Sequence, residues 1–204
     1  MPATTDRIVA RPAIVAFEGI DGSGKSTQAE LLHRWLEAAG APVRHMSFPR
    51  VSERGYGEAI AMFLRGEFGS LEQVHPYLVA ALFAGDRASA IREIQQWLDE
   101  GSLVLVDRYF YSNVAFQAAK IEDPKAKRAF ALWLEHLEFE SNGIPRADLN
   151  IFFDVPMDFV LANVSRRKQE QRAYLNGRED IHEVAGQFQQ QVMVEYRNFG
   201  KGDP

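Results

Sequence analysis

Gly19-Ile20-Asp21-Gly22-Ser23-Gly24-Lys25-Ser26 follows the apolar stretch Ile14-Val15-Ala16-Phe17 and precedes a helix-patterned segment. Strand, glycine loop and helix therefore stand in the order that a phosphate-binding loop requires. The glycines let the backbone curl until successive N–H groups face one centre, and the helix starting near Lys25 points its positive dipole end at the same place. Lys25 adds a point charge, and Ser26 can offer its hydroxyl to Mg²⁺. The expected ligand is a nucleoside triphosphate, held by Gly19, Asp21, Gly22, Ser23, Gly24, Lys25, Ser26 and Thr27. A plain strand-to-helix turn is the structural alternative.

Beyond the loop, Ala29, Leu32, Trp35, Leu36 and Ala39 recur at helical spacing and stop at Gly40, a natural C-terminal cap. Val43 to Phe48 reads as a short strand ended by Pro49. Leu103-Val104-Leu105-Val106 and Leu149 to Val155 are apolar runs suited to strands covered on both faces. Helical patterns lie between and after them, at Ile91, Ile94 and Leu98; at Phe130, Trp133, Leu134 and Leu137; and at Val184, Phe188 and Val192. Strands alternating with helices imply an α/β domain with a parallel sheet and its ligand at the carboxyl ends of the strands. The most polar stretch, residues 165–180, holds Arg166, Arg167, Lys168, Arg172 and Arg178, and reads as a mobile flap or a solvated helix.

A chain of 204 residues suits one domain. Its net charge of −5 leaves no global basic field to recruit nucleic acid or a membrane surface. The absence of cysteine removes disulfides, Cys-based metal sites and a thiol nucleophile together. His33, His45, His75 and His136 are scattered without ligand spacing. No run reaches the length of a membrane span, and Met1 to Pro12 lacks a signal-peptide core, so a cytoplasmic location is expected.

Asp107-Arg108-Tyr109 follows Leu103 to Val106, so Asp107 emerges at a strand's carboxyl end, where a magnesium-facing carboxylate of a nucleotide site would lie. The alternative for Asp107 is capping of the next helix. Arg108, with its planar fork, can clamp a phosphate through paired hydrogen bonds.

Five segments occur in the order found in thymidylate kinases: Phe17-Glu18-Gly19-Ile20-Asp21 into the loop; Phe48-Pro49-Arg50; Phe83-Ala84-Gly85-Asp86-Arg87; Asp107-Arg108-Tyr109 with Ser112-Asn113; and Asp180-Ile181-His182-Glu183. From about Ile14 to about Phe199 the chain resembles that family of P-loop nucleoside monophosphate kinases. The resemblance implies a three-layer αβα fold and transfer of the γ-phosphoryl of ATP to thymidine monophosphate with Mg²⁺, in a homodimer. Phe83 matches the ring that stacks on thymine, where residues alone favour a core phenylalanine, and Arg87 matches the arginine that bonds the base edge. Arg50 and Arg108 match the arginines on the acceptor's phosphate, next to Phe48. Asp21 matches a carboxylate near the sugar hydroxyl and phosphates, and joins Ser26 and Asp107 as a metal-facing group. Asn113 and Phe116 match positions beside the acceptor, the second being tyrosine in many bacterial members. The segment 165–180 resembles the lid over ATP. With Gly22 and Ser23 where some members carry a catalytic arginine, that task falls to Arg166 and Arg167, ahead of Arg172 and Arg178. Lys25, Arg108, Asp21, Arg166 and Arg167 form the expected catalytic set.

The resemblance also implies a last strand and closing helix beyond the Val184 to Tyr196 segment, whereas the sequence stops at Pro204. A four-stranded sheet with one edge exposed or covered by a partner is expected. The rival readings are a related nucleotide or deoxynucleoside kinase, and a catalytically silent nucleotide-binding switch.

Overall fold

The computed structural model describes residues 11–167, 175–176 and 186–200. Among them the sheet has four parallel strands: β1 (Ala13–Glu18), β2 (Val43–Ser47), β3 (Leu103–Asp107) and β4 (Leu149–Phe152), in spatial order β2-β3-β1-β4. The helices are α1 (Lys25–Ala38), α2 (Tyr56–Leu64), α3 (Pro76–Asp99), α4 (Phe110–Ala118), α5 (Pro124–Glu135), α6 (Met157–Arg167) and α7 (Gly186–Gly200). A wide π turn, His136–Ser141, prolongs α5.

Alternation along the strands sorts the core into two layers. Phe17, Leu105 and Val43 face α1 and meet Ala29 and Leu36, while Ile14, Ala16, Val104 and Val106 face α3 and meet Ala90 and Ile94. Helices on both faces make the expected three-layer arrangement. A further cluster fills the space around the loop and the helices beside it, where Ile20 packs with Ile60, Phe63, Val79, Val160 and Val192.

β4 departs from the expectation. Its run does not sit covered on both faces: Leu149 is 52% exposed and Asn150 is exposed as well. The strand pairs with β1 on one side and is the last of the described sheet on the other, so its outer edge has no strand beside it among the described residues. Hydrophobicity along a sequence does not reveal which strand stands at an edge.

The register places the functional ends side by side. Phe17 and Ser47 both lie opposite Asp107, and the Phe48 N–H donates to the Asp107 carbonyl at 2.9 Å. The loop after β2 is then held by a close approach of backbone to backbone. Gly57, near the start of α2, lies so near Arg50 that a Cβ would come within 2.1 Å of the Arg50 carbonyl oxygen.

Gly57→Ala overpacks this approach; it is expected to destabilise the protein by about 1–3 kcal/mol and to lower the melting temperature by roughly 2–12 °C. A melting curve unchanged from the wild type would show that the loop carrying Arg50 yields freely.

Candidate active site

The loop between β1 and α1 has the backbone that its glycines permit. Gly22 and Gly24 take φ of 80° and 92°, in the left-handed region that other residues avoid. Gly22 is also packed so tightly that a Cβ would approach the Val160 carbonyl oxygen within 2.9 Å. Lys25 and Ser23 are buried, Ser26 is half-buried and Thr27 is exposed. The Lys25 ammonium donates to the Ile20 carbonyl at 3.2 Å, so its charge is held over the loop. The Ser23 hydroxyl is buried without a hydrogen-bond partner among the described residues.

Three arginines converge on the strand ends, each held by a carboxylate. Arg50 donates through its backbone N–H to Asp86 Oδ2 at 2.8 Å and through Nε to Asp86 Oδ1 at 3.1 Å, while Nη2 reaches the Asp86 carbonyl and the Ser89 hydroxyl. Arg87 donates to both oxygens of Glu138, at 2.7 and 2.5 Å, and the pair is almost fully buried. Arg108 donates to Asp21 Oδ1 at 2.6 Å. Phe48 is a buried platform with the guanidinium carbons of Arg50 and Arg87 5.7 and 5.9 Å from its ring centre. Arg108 lies in the same way over Phe116, at 5.1 Å. Such contacts orient a guanidinium without neutralising it.

Arg108 adopts φ of +66°, unusual for a residue with a side chain. Its backbone N–H donates to the Phe17 carbonyl at 2.9 Å, so the turn is held by β1. Burial works against the Arg108 charge, but Asp21 beside it, with Tyr196, Asp107 and Glu18 around it, more than offsets this and raises its pKa. Burial likewise opposes the Arg87 charge, and Glu138 outweighs it. Both guanidiniums are secure cations.

Asp107 does not cap α4, whose N-terminus carries no side-chain cap. Its carboxylate is buried, and Oδ1 has no hydrogen-bond partner among the described residues. Asp21, in contrast, accepts from Arg108 on Oδ1 and from Gln189 Nε2 on Oδ2 at 3.1 Å. Of the two acids expected to face a metal, Asp107 is the one with a buried oxygen that lacks a hydrogen-bond partner among the described residues. No group of three or more His, Asp or Glu among the described residues could hold a metal by protein ligands alone.

Phe83 is half-buried on α3, packed against the cluster around Ile20. Asn113 is buried on α4; its amide donates to Glu138 Oε1 at 2.9 Å and to the Ala80 carbonyl at 3.0 Å, and its Oδ1 has no partner among the described residues. The backbone of Arg166 and Arg167 closes α6, but their side chains, with Arg172, Arg178 and most of the segment 165–180, lie outside the described part.

Several residues of the site carried no assigned role in the sequence. Glu18 ends β1 and is buried; it accepts from the Tyr109 N–H at 3.1 Å and from the Ser112 hydroxyl at 2.5 Å, and the Tyr196 hydroxyl lies 3.2 Å away. Gln189 and Tyr196 come from α7, and Glu138 from the π turn. A carboxylate closing an apolar strand just before the loop was the available signal for Glu18. Nothing local marked Glu138 or Gln189.

A family model described as thymidylate kinase matches residues 17–199. The chain is 35% identical to the thymidylate kinase of Mycobacterium tuberculosis over 183 residues, covering 90% of this chain and 83% of that protein. It is 37% identical over 161 residues to a probable thymidylate kinase of Pyrococcus horikoshii, covering 77% of this chain and 72% of that one. Among solved structures, a thymidylate kinase from Candida albicans superposes with a TM-score of 0.67 at 26% identity, over 92% of this chain and 77% of that chain.

Glu18 supplies a pH test of this site. Burial raises its pKa more than the hydrogen bond from Ser112 and the charge of Arg108 lower it. A pKa raised in the folded state means that the native protein holds the proton more tightly, so stability declines as pH climbs from the unfolded value through the folded one. Glu18→Gln cannot ionise, and in urea titrations run upward from the unfolded value of 4.5 its stability is expected to gain on the wild type. A constant difference above that value would mean that Glu18 titrates alike in both states.

Proposed function

The chain belongs to the thymidylate kinase family, and from that premise and the geometry at the strand ends we propose that it transfers the γ-phosphoryl group of ATP to thymidine monophosphate, releasing ADP and thymidine diphosphate. The observation that carries the reading is the Arg108–Asp21 pair, in which an arginine from the acceptor side is anchored to the donor loop. One cation thereby stands between the two phosphate sites.

Transfer of a phosphoryl group needs little covalent help: an oxygen of the acceptor phosphate attacks the γ-phosphorus as the bond to the bridging β-oxygen breaks, and catalysis is positioning plus charge stabilisation. A phosphate dianion is already a nucleophile, so no general base is required. Lys25 and the N–H groups of the loop hold the donor, and Arg50 and Arg108 hold the acceptor. Their side chains are 18% and 15% exposed, open enough to meet an incoming anion. Arg166 and Arg167 are the lid residues proposed to meet the moving phosphoryl. Ser26, through its hydroxyl, and Asp107, through its unpartnered carboxylate oxygen, would hold Mg²⁺, which would supply positive charge against the phosphates.

Base recognition follows from the same residues. Phe83 offers a ring face, Arg87 is a donor fork that Glu138 holds through Nε and Nη2, and Asn113 Oδ1 is a buried acceptor lacking a donor among the described residues. An unmet buried acceptor costs roughly 1–3 kcal/mol, which the N3–H of thymine can return. Family membership further supports a homodimer packed through helices, and Leu78, 66% exposed on α3, is apolar surface that such packing would cover. No helix among the described residues is long and apolar enough to cross a membrane; a cytoplasmic location is part of the proposal.

ADP release with ATP and Mg²⁺ is measured against thymidine, deoxyuridine, uridine, cytidine and adenosine monophosphates and free thymidine. Preferential turnover of thymidine monophosphate is expected, and turnover of free thymidine in its place would favour a nucleoside kinase. Lys25→Ala is expected to lose at least about 10²-fold in kcat while thymidine monophosphate still raises its melting temperature. A near-normal rate in that variant would remove Lys25 from the mechanism.

A further inference from the structure

Glu138 lies on the wide π turn that prolongs α5, and it is 0% exposed. A single π turn of this kind shifts the side chains that follow and recurs at functional sites. Here it delivers one carboxylate to two residues that the functional reading assigns to the base. Oε2 accepts from Arg87 Nε at 2.7 Å; Oε1 accepts from both Arg87 Nη2 at 2.5 Å and Asn113 Nδ2 at 2.9 Å.

The second amide hydrogen of Asn113 goes to the Ala80 carbonyl at 3.0 Å. Both of its neighbours are therefore acceptors, and only the NH₂ end of an amide can satisfy them. Rotating the amide by half a turn would set its oxygen against a carboxylate and a carbonyl and leave two buried donors without acceptors. Glu138, together with the Ala80 carbonyl, thus fixes which end of Asn113 is left over, and the end left over is the acceptor Oδ1, which has no partner among the described residues. At the same time it holds two nitrogens of the Arg87 fork, which settles how the remaining donors point.

We infer that Glu138 is the positioning residue for pyrimidine choice: without touching the substrate, it sets Asn113 as acceptor and Arg87 as donor toward the base. This rests on the assignment of the acceptor site to a nucleoside monophosphate. Thymine presents a donor at N3 and an acceptor at O4, which matches that pair. Cytosine presents an acceptor at N3 and a donor at N4, which opposes both. A site built to hydrogen-bond one pattern rejects the other because its buried polar groups are then left unpaired.

Glutamine at this position has the same shape but brings an NH₂ group. It can donate to Asn113, which leaves only the Ala80 carbonyl of the two acceptors that hold the amide, and it releases Arg87 from its charge partner. In Glu138→Gln the preference for thymidine over deoxycytidine monophosphate is expected to fall roughly tenfold or more, in kcat/KM and in calorimetric affinity without ATP, with deoxycytidine monophosphate gaining in absolute terms. A merely structural role would weaken both nucleotides together. An unchanged preference in the folded variant overturns the inference. If losing the charge unfolds the protein, Arg87→Met with Glu138→Gln leaves no buried charge unpaired; a preference for thymidine monophosphate retained there overturns the inference equally. Wild-type protein that binds thymidine monophosphate selectively without phosphorylating it would end the kinase reading alone, and the affinities would still judge Glu138. Wild-type protein that binds neither nucleotide would end both.

Discussion

The parallel pairing of β1 with β3, with Phe17 opposite Asp107, is the constraint from which the site is built. It brings the start of the glycine loop and the Asp107-Arg108-Tyr109 turn to one height, so that the Arg108 N–H can donate to Phe17 and the Tyr109 N–H to Glu18. A slip of one residue would turn every side chain of β1 to the opposite face. Phe17 would leave the α1 layer, and Glu18 would lose the buried position in which it gathers Tyr109, Ser112 and Tyr196. The hydrophobic alternation of β1 and the donors around Glu18 therefore specify the same register by independent means.

Within that frame, the arginines are prepared to different degrees. Arg50 and Arg108 each have a carboxylate, yet keep part of their surface open, so an acceptor phosphate can share or replace Asp86 and Asp21 as partner. Arg87 is closed, with 2% of its side chain exposed, and its pairing with Glu138 would cost several kcal/mol to break from one side. Exchangeable partners suit the two residues proposed to take a moving charge. A locked partner suits one proposed to read an unchanging base edge. The difference is one of burial, since all three pairs use the same two chemical groups.

Local signals carried the glycine loop, the strands β1 and β3 and the helices α1 and α5, because each is written in spacing over a few residues. Arg108 was legible at the end of β3, whereas Arg50 and Arg87 came from the resemblance alone, through short segments in a fixed order. What the sequence could not display was partnership at distance. Glu18 meets Tyr196 across 178 positions, and Gln189 meets Asp21 across 168. The π turn was equally hidden, since Phe130, Trp133, Leu134 and Leu137 keep helical spacing up to the point where the turn widens. The exposure of β4 follows from strand order alone. Asp107 is an intermediate case: its place at a strand end was legible, while its unpartnered oxygen depends on which neighbours reach it.

The final helix shows why such distant partners need not be weakly specified. Phe188, Val192 and Tyr196 recur every four residues and bury one stripe of α7 in the cluster around Ile20 and Phe116. On the same stretch of helix, Gln189 meets both the Asp21 N–H, at 3.3 Å, and its carboxylate, while Tyr196 reaches Glu18 and Ser112. A shift of α7 by one turn could preserve much of the apolar contact, because the stripe repeats at nearly that interval. It could not preserve both polar contacts, and it would leave a buried carboxylate and a buried phenol short of partners, each costing roughly 1–3 kcal/mol. Apolar burial therefore brings the helix to the core, and Glu18 and Asp21, the two acids on either side of Gly19-Ile20, select where along its axis it stops.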